Sequence, residues 1–113
     1  NPFKTQKMTS LAWLVFIAAA ILEVGGDAVI RKGLIGSNLP VILGGGLMLA
    51  GYGLVVNLVR WDFSKLLGVY VAVFALVSIL GGRFLFKETI PTSTWVGLAV
   101  IITGGLIIQS GNK

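Results

Sequence analysis

The sequence predicts an all-α fold, an integral membrane bundle of four transmembrane helices. Three observations carry this. Of 113 residues, 56% are hydrophobic and only 12% are charged, where ordinary soluble chains carry about 25% charged residues. A single small domain exposes much of its surface to water, and this composition, with a mean hydropathy of +0.96, cannot cover that surface. The charges also fall at intervals that divide the chain into four apolar runs, each long enough for one crossing of roughly 20 residues and none for two.

The runs follow in order. Lys4 and Lys7 precede the first, which carries only Glu23 and Asp27 before Arg31 and Lys32 close it. Residues 33–59 hold no charge, then Arg60, Asp62 and Lys65 mark a break. Residues 66–82 are charge-free up to Arg83, Lys87 and Glu88, and 89–112 form the last run before Lys113. These limits place spans near 9–30, 39–59, 64–86 and 93–110, between a polar tail at 1–8 and a short one at 111–113. Gly33, Gly36, Ser37, Asn38 and Pro40 supply the first break, and Thr89–Thr94 the third, with Ser93 or Thr94 as the expected N-cap of the last helix. Trp13, Trp61 and Trp95 sit toward span ends, where amphipathic rings meet headgroups. The first span is longer than the apolar core of a signal peptide, so it is expected to stay in place.

Composition narrows the chemistry. Cys and His are both absent, which removes disulfides, thiolate metal sites, catalytic thiols and imidazole acid–base catalysis. No enzyme activity, cofactor or metal is expected. Lys and Arg outnumber Asp and Glu by 9 to 4, but they border apolar runs, which suits lipid headgroups rather than nucleic acid. Four crossings put both termini on one side with Lys4, Lys7, Arg60, Lys65 and Lys113, against Arg31, Lys32, Arg83 and Lys87 opposite. Orientation follows the Lys and Arg surplus of cytoplasmic loops. A balance this even leaves insertion in both orientations open beside one fixed by a single loop charge.

Glu23 is the most informative residue. It precedes Arg31 by eight positions, about 12 Å along a helix, well inside the hydrocarbon. An ionised carboxylate there costs on the order of 2.5 kcal/mol or more, and such residues usually face a cavity or partner and have a function. Either a proton or a cationic substrate can neutralise it, but not both at once, which is a simple coupling device. Asp27 and Arg31 continue the same face at steps of four; a surface-level pair with Arg31 accounts for Asp27 as well as a binding role does. Tyr52 and Tyr70 are candidate pocket members by cation–π attraction, and helix packing explains either singly. Gly97 and Gly104, seven apart, share one face of the last span and suit a close helix seam between copies or within one chain.

The stretch Ala20-Ile21-Leu22-Glu23-Val24, with Arg31 eight residues after the acid, resembles the first helix of the small multidrug resistance proteins of the drug/metabolite transporter superfamily. Phe84-Leu85-Phe86-Lys87-Glu88-Thr89-Ile90, then Trp95-Val96-Gly97 and Ile102-Thr103-Gly104, is similar to that superfamily's shared pattern. The resemblance covers the chain from Met8 onward. It implies an antiparallel, dual-topology homodimer in a prokaryotic inner membrane, with Gly97 and Gly104 at the dimer contact. It also implies proton-coupled export of small cationic or amphipathic compounds, Glu23 taking proton and substrate in turn.

The chain departs from the family where an aromatic-rich run enters the third helix. Here Ser64-Lys65-Leu66-Leu67-Gly68-Val69-Tyr70 has Leu67 in place of the family's Tyr and Tyr70 in place of its Trp, and Ala72-Val73-Phe74 replaces the following glycine hinge. Asp27 is an additional acid. These differences point to a divergent branch and keep two alternatives open: a flippase of lipid-linked sugar or polyprenyl-phosphate substrates, with Arg31 and Lys32 holding a phosphate, and a non-transporting assembly subunit.

Overall fold

A computed structural model describes the backbone of residues 2–111 and the side chains of residues 10–111. Four helices follow in order: α1 Pro2–Ile35, α2 Leu39–Val56, α3 Phe63–Leu85 and α4 Thr92–Gln109. Each contains an apolar stretch fit to cross a membrane, Ser10–Ile35 in α1 and the whole of the other three. Helix α1 begins at Pro2, so it includes most of the polar segment ahead of the first span. The chain divides into two compact units, Asn1–Val59 and Arg60–Lys113; the first is the α1–α2 hairpin and the second the α3–α4 hairpin.

Large apolar side chains are exposed on all four helices, including Leu14, Leu47, Leu76 and Ile107. Helices apolar on their outward faces as well as at their contacts need a nonpolar surrounding, which lipid supplies. The protein is a multi-pass integral membrane protein.

Lipid gives apolar helices little reason to associate, so contact depends on close packing. In the first unit glycine provides it. A methyl group on Gly45 would come within 2.8 Å of the Gly26 carbonyl oxygen and 2.6 Å of Ile30, and one on Gly26 within 2.9 Å of the Gly45 carbonyl oxygen. Gly33 continues the seam against Ile42, where a methyl carbon would lie 2.7 Å from Cγ1. Gly33 is therefore a packing residue inside α1, not a break, and the helix runs five residues beyond the expected end at 30.

The turn that follows is built by other residues. Ser37 takes the left-handed conformation, φ 52°, its N–H donating to Leu34 O (3.3 Å) while Asn38 N–H donates to Gly33 O (2.8 Å). This is the hydrogen-bond pair of a Schellman C-cap. Asn38 then caps α2, its side-chain oxygen accepting from Val41 N–H at 3.4 Å, with Pro40 in the first turn. At the far end α2 stops at Val56, short of the expected 59. There Asn57 Nδ2 donates to Gly53 O at 2.7 Å, engaging the carbonyl that would extend the helix, and the next bonds are short turns, Leu58 to Val55 and Val59 to Val56.

In the second unit Gly105 packs on Ala72 and Gly68 on Ile108; a methyl group on either glycine would come within 2.8 Å of its partner. Lys65 Nζ reaches Gly111 O at 3.4 Å and lies 4.7 Å over the Trp61 ring. Helix α4 has no basic residue in its last turn, so Lys65 brings positive charge to its negative end. Pro91, and neither Ser93 nor Thr94, is the N-cap of α4. Its backbone is already extended, and its carbonyl accepts from Thr94 and Trp95 N–H. Between these helices Lys87 is left-handed, φ 53°, returning Glu88 N–H to Gly82 O at 3.1 Å and pressing the Glu88 carboxylate onto Gly82.

Adjacent glycines should respond oppositely. Gly45→Ala is expected to cost about 1–3 kcal/mol by forcing the seam apart, whereas Gly46, with nothing within 4 Å of an added methyl, should gain up to about 1 kcal/mol as Ala. Denaturant unfolding of the two variants followed by circular dichroism reads the difference; equal responses would contradict the seam. Ser37→Gly should stabilise by about 1 kcal/mol, seen as a higher midpoint in the same titration, because the left-handed backbone penalises a Cβ.

Candidate functional site

Glu23 occupies the middle of the apolar stretch of α1, 13 residues after Ser10 and 12 before Ile35, or about 18–20 Å from either end at the helical rise. It is half-buried. The seam sets what it meets. Along the antiparallel hairpin Gly33 faces Ile42, Ile30 faces Gly45, Gly25 faces Met48, and Leu22 faces Gly51. The same register brings Tyr52 to Glu23, close enough for the carboxylate's charge to act on the phenol. A carboxylate and a hydroxyl thus share one level of the hairpin, deep in its apolar length.

Small side chains position this pair. The space left by Gly25 and Gly26 is occupied by α2, with Met48 Cε 3.0 Å from a methyl group on Gly25 and Leu49 3.0 Å from one on Gly26. Gly51 and Gly53 flank Tyr52. A methyl on Gly51 would meet only Leu22, at 3.9 Å, and one on Gly53 nothing within 4 Å. The backbone beside the Tyr52 ring is therefore less crowded than the seam below it.

The other candidates are placed differently. Asp27 is exposed on α1, one turn from the exposed Arg31, while the neighbouring Gly26 is buried in the seam. Tyr70 belongs to the second unit, buried in an uninterrupted α3 at 3% exposure, its ring 6.2 Å from Phe74. Gly97 and Gly104 lie on a face of α4 where an added methyl meets nothing within 4 Å. Gly104 lines an open groove with Val96, Ala99, Val100, Thr103 and Ile107. The Thr103 hydroxyl donates to Ala99 O at 2.8 Å, so the groove presents little polarity. Met48 and Leu49, beside the carboxylate's turn of α1, are site neighbours that sequence reasoning missed. Their only signal was spacing from Glu23 across a turn whose register the sequence leaves open.

The UPF0060 membrane protein of Staphylococcus carnosus is 37% identical over 97 residues, covering 84% of this chain and 90% of its own length. The chain belongs to the UPF0060 membrane protein family. A Synechocystis member is 26% identical over 104 residues, covering 88% of this chain and 94% of its own. No family model matches, and no solved structure matches. Membership agrees with the membrane class read from the sequence; the small multidrug resistance branch is a finer assignment than these relatives carry.

If Glu23 and Tyr52 interact, their substitutions are not additive. A double-mutant cycle of Glu23→Gln and Tyr52→Phe on unfolding free energy should give a coupling of about 0.5–2 kcal/mol, whereas Asp27→Asn with Tyr52→Phe should add within about 0.5 kcal/mol. Additivity in the first cycle would separate the two residues.

Proposed function

We propose that this UPF0060 member is a divergent relative of the small multidrug resistance proteins that exports small cationic or amphipathic compounds in exchange for protons. One observation carries the reading: a half-buried carboxylate at the centre of a membrane span, with a tyrosine within reach of its charge. Charge at that depth costs several kcal/mol unless neutralised, and packing alone has no need of it, since an apolar side chain would serve the seam better. A proton removes the cost, and so does a bound organic cation. Because the two compete for one group, cation binding expels the proton and protonation expels the cation.

Tyr52 is suited to hold the cation, its ring offering a π face and its hydroxyl a polar contact beside the acid. Asp27, one turn further along α1, is a secondary member of the substrate path. A single hairpin cannot surround a substrate, so the working unit is an antiparallel homodimer. The open, weakly polar face of α4 around Gly97 and Gly104 supports a helix contact there.

The test is proton release. Adding a quaternary ammonium compound to the weakly buffered, purified protein should acidify the solution. Glu23→Gln should abolish that release, while Glu23→Asp retains it with a shifted pH dependence. Substrate-driven release that survives in Glu23→Gln would overturn the proposal, as would transport of a lipid-linked substrate by that variant at the native rate.

A further inference from the structure

The two sides of the α1–α2 hairpin are unlike. On one side Met48 Cε lies 3.0 Å from where a methyl group on Gly25 would stand. Glu23 is two residues from Gly25, about 200° round α1, and Gly53 is five residues from Met48, about 140° round α2. The helices meet between these positions, at Gly26, Gly45 and Leu49. Glu23 and Gly53 therefore share the side of the hairpin opposite Met48. Tyr52, adjacent to Gly53, is within reach of the Glu23 charge.

We propose that Gly53 determines how large a cation the site accepts, the substrate's charge meeting Glu23 while its apolar body lies over Gly53. The inference rests on the exchange reading above and adds the bulk of the substrate to it. A methyl group on Gly53 would meet nothing within 4 Å, although the residue is half-buried. The Asn57 amide donates to Gly53 O at 2.7 Å, so that carbonyl is already engaged. What Gly53 offers a ligand is apolar space beside an acid and a tyrosine ring. Hydrocarbon substituents on an organic cation suit that space, and a strongly hydrated inorganic cation does not.

Gly44 provides the comparison. A methyl group there also meets nothing within 4 Å, but Gly44 is one turn from Met48 and so lies on the side away from Glu23. A side chain added at either glycine has room in the hairpin. Only at Gly53 does it take the room beside the acid.

Proton release by the purified chain, titrated with tetramethylammonium and with tetrabutylammonium, tests this. The native chain should respond to both. G53L should raise the half-maximal concentration of tetrabutylammonium at least about tenfold, and G53A by less, with tetramethylammonium changed by no more than about twofold in either. G44L should change neither cation's response. Should G53L lose both responses, a selective loss in G53A supports the inference and any other result in G53A overturns it. An unchanged tetrabutylammonium response in G53L, the same selective loss in G44L, or native release with tetramethylammonium alone each overturns the role of Gly53 and leaves the exchange reading standing. No release from the native chain with either cation overturns that reading, and this inference with it.

Discussion

The contact of Gly26 with Gly45 is the constraint on which the first hairpin depends. In water two apolar helices are driven together by the solvent. In lipid that drive is weak, and association follows from how closely the backbones approach. Here the two glycines bring each helix's carbonyl oxygen to within about 3 Å of where the other's Cβ would stand. That approach sets the rotation of both helices: it is Gly26 and Gly45, not the neighbouring Gly44 or Gly46, against which an added methyl would meet the other helix's backbone. Once rotation is fixed, register follows, and register brings Tyr52 to Glu23. The polar pair is thus a consequence of a contact made entirely by apolar atoms and backbone.

Much of this was legible in the sequence, for a plain reason. Charges are expensive in hydrocarbon, so their positions alone divide the chain into four apolar stretches, and the structure has four long apolar helices. Ends were less legible, since they depend on local hydrogen bonds. Nothing in composition distinguishes Gly33, which packs inside α1, from Gly36, which lies past its end, and the left-handed position fell to Ser37 rather than to either glycine. Asn57 shortened α2 through a side-chain bond to Gly53 that hydropathy cannot register. Of the site, Glu23 was evident because an acid far from either end of an apolar run is conspicuous. Tyr52 as its neighbour was not, since pairing across a hairpin requires the register, and the register is set by glycines that look alike in a list.

The glycines of α4 show how the same residue type serves two purposes. Gly104 and Gly105 are adjacent and therefore point about 100° apart. Gly105 is pressed on Ala72 inside the hairpin, while Gly104, with Gly97 seven residues before it, meets nothing. Spacing of seven was enough to see that Gly97 and Gly104 share a face, yet it could not say that the hairpin uses the next residue instead. A helix that keeps one small-residue face for its own hairpin and leaves another uncovered has capacity for a second contact. In lipid, such a face associates only where a partner matches its shape.

The depth of Glu23 connects these features to chemistry. Its position, 13 residues after Ser10 and about 12 Å from Arg31 along the helix, puts it inside the membrane span. Any ion that neutralises it must arrive through a gap between helices. The seam below it is closed by Met48 and Leu49, whereas Gly51 and Gly53 leave the backbone beside Tyr52 with little around it. The hairpin is therefore more tightly packed on the turn side of Glu23, at Gly25 and Gly26, than around Gly51 and Gly53. In the exchange proposed above, the environment at the Tyr52 level would have to change between two arrangements while the glycine seam holds α1 against α2 in both.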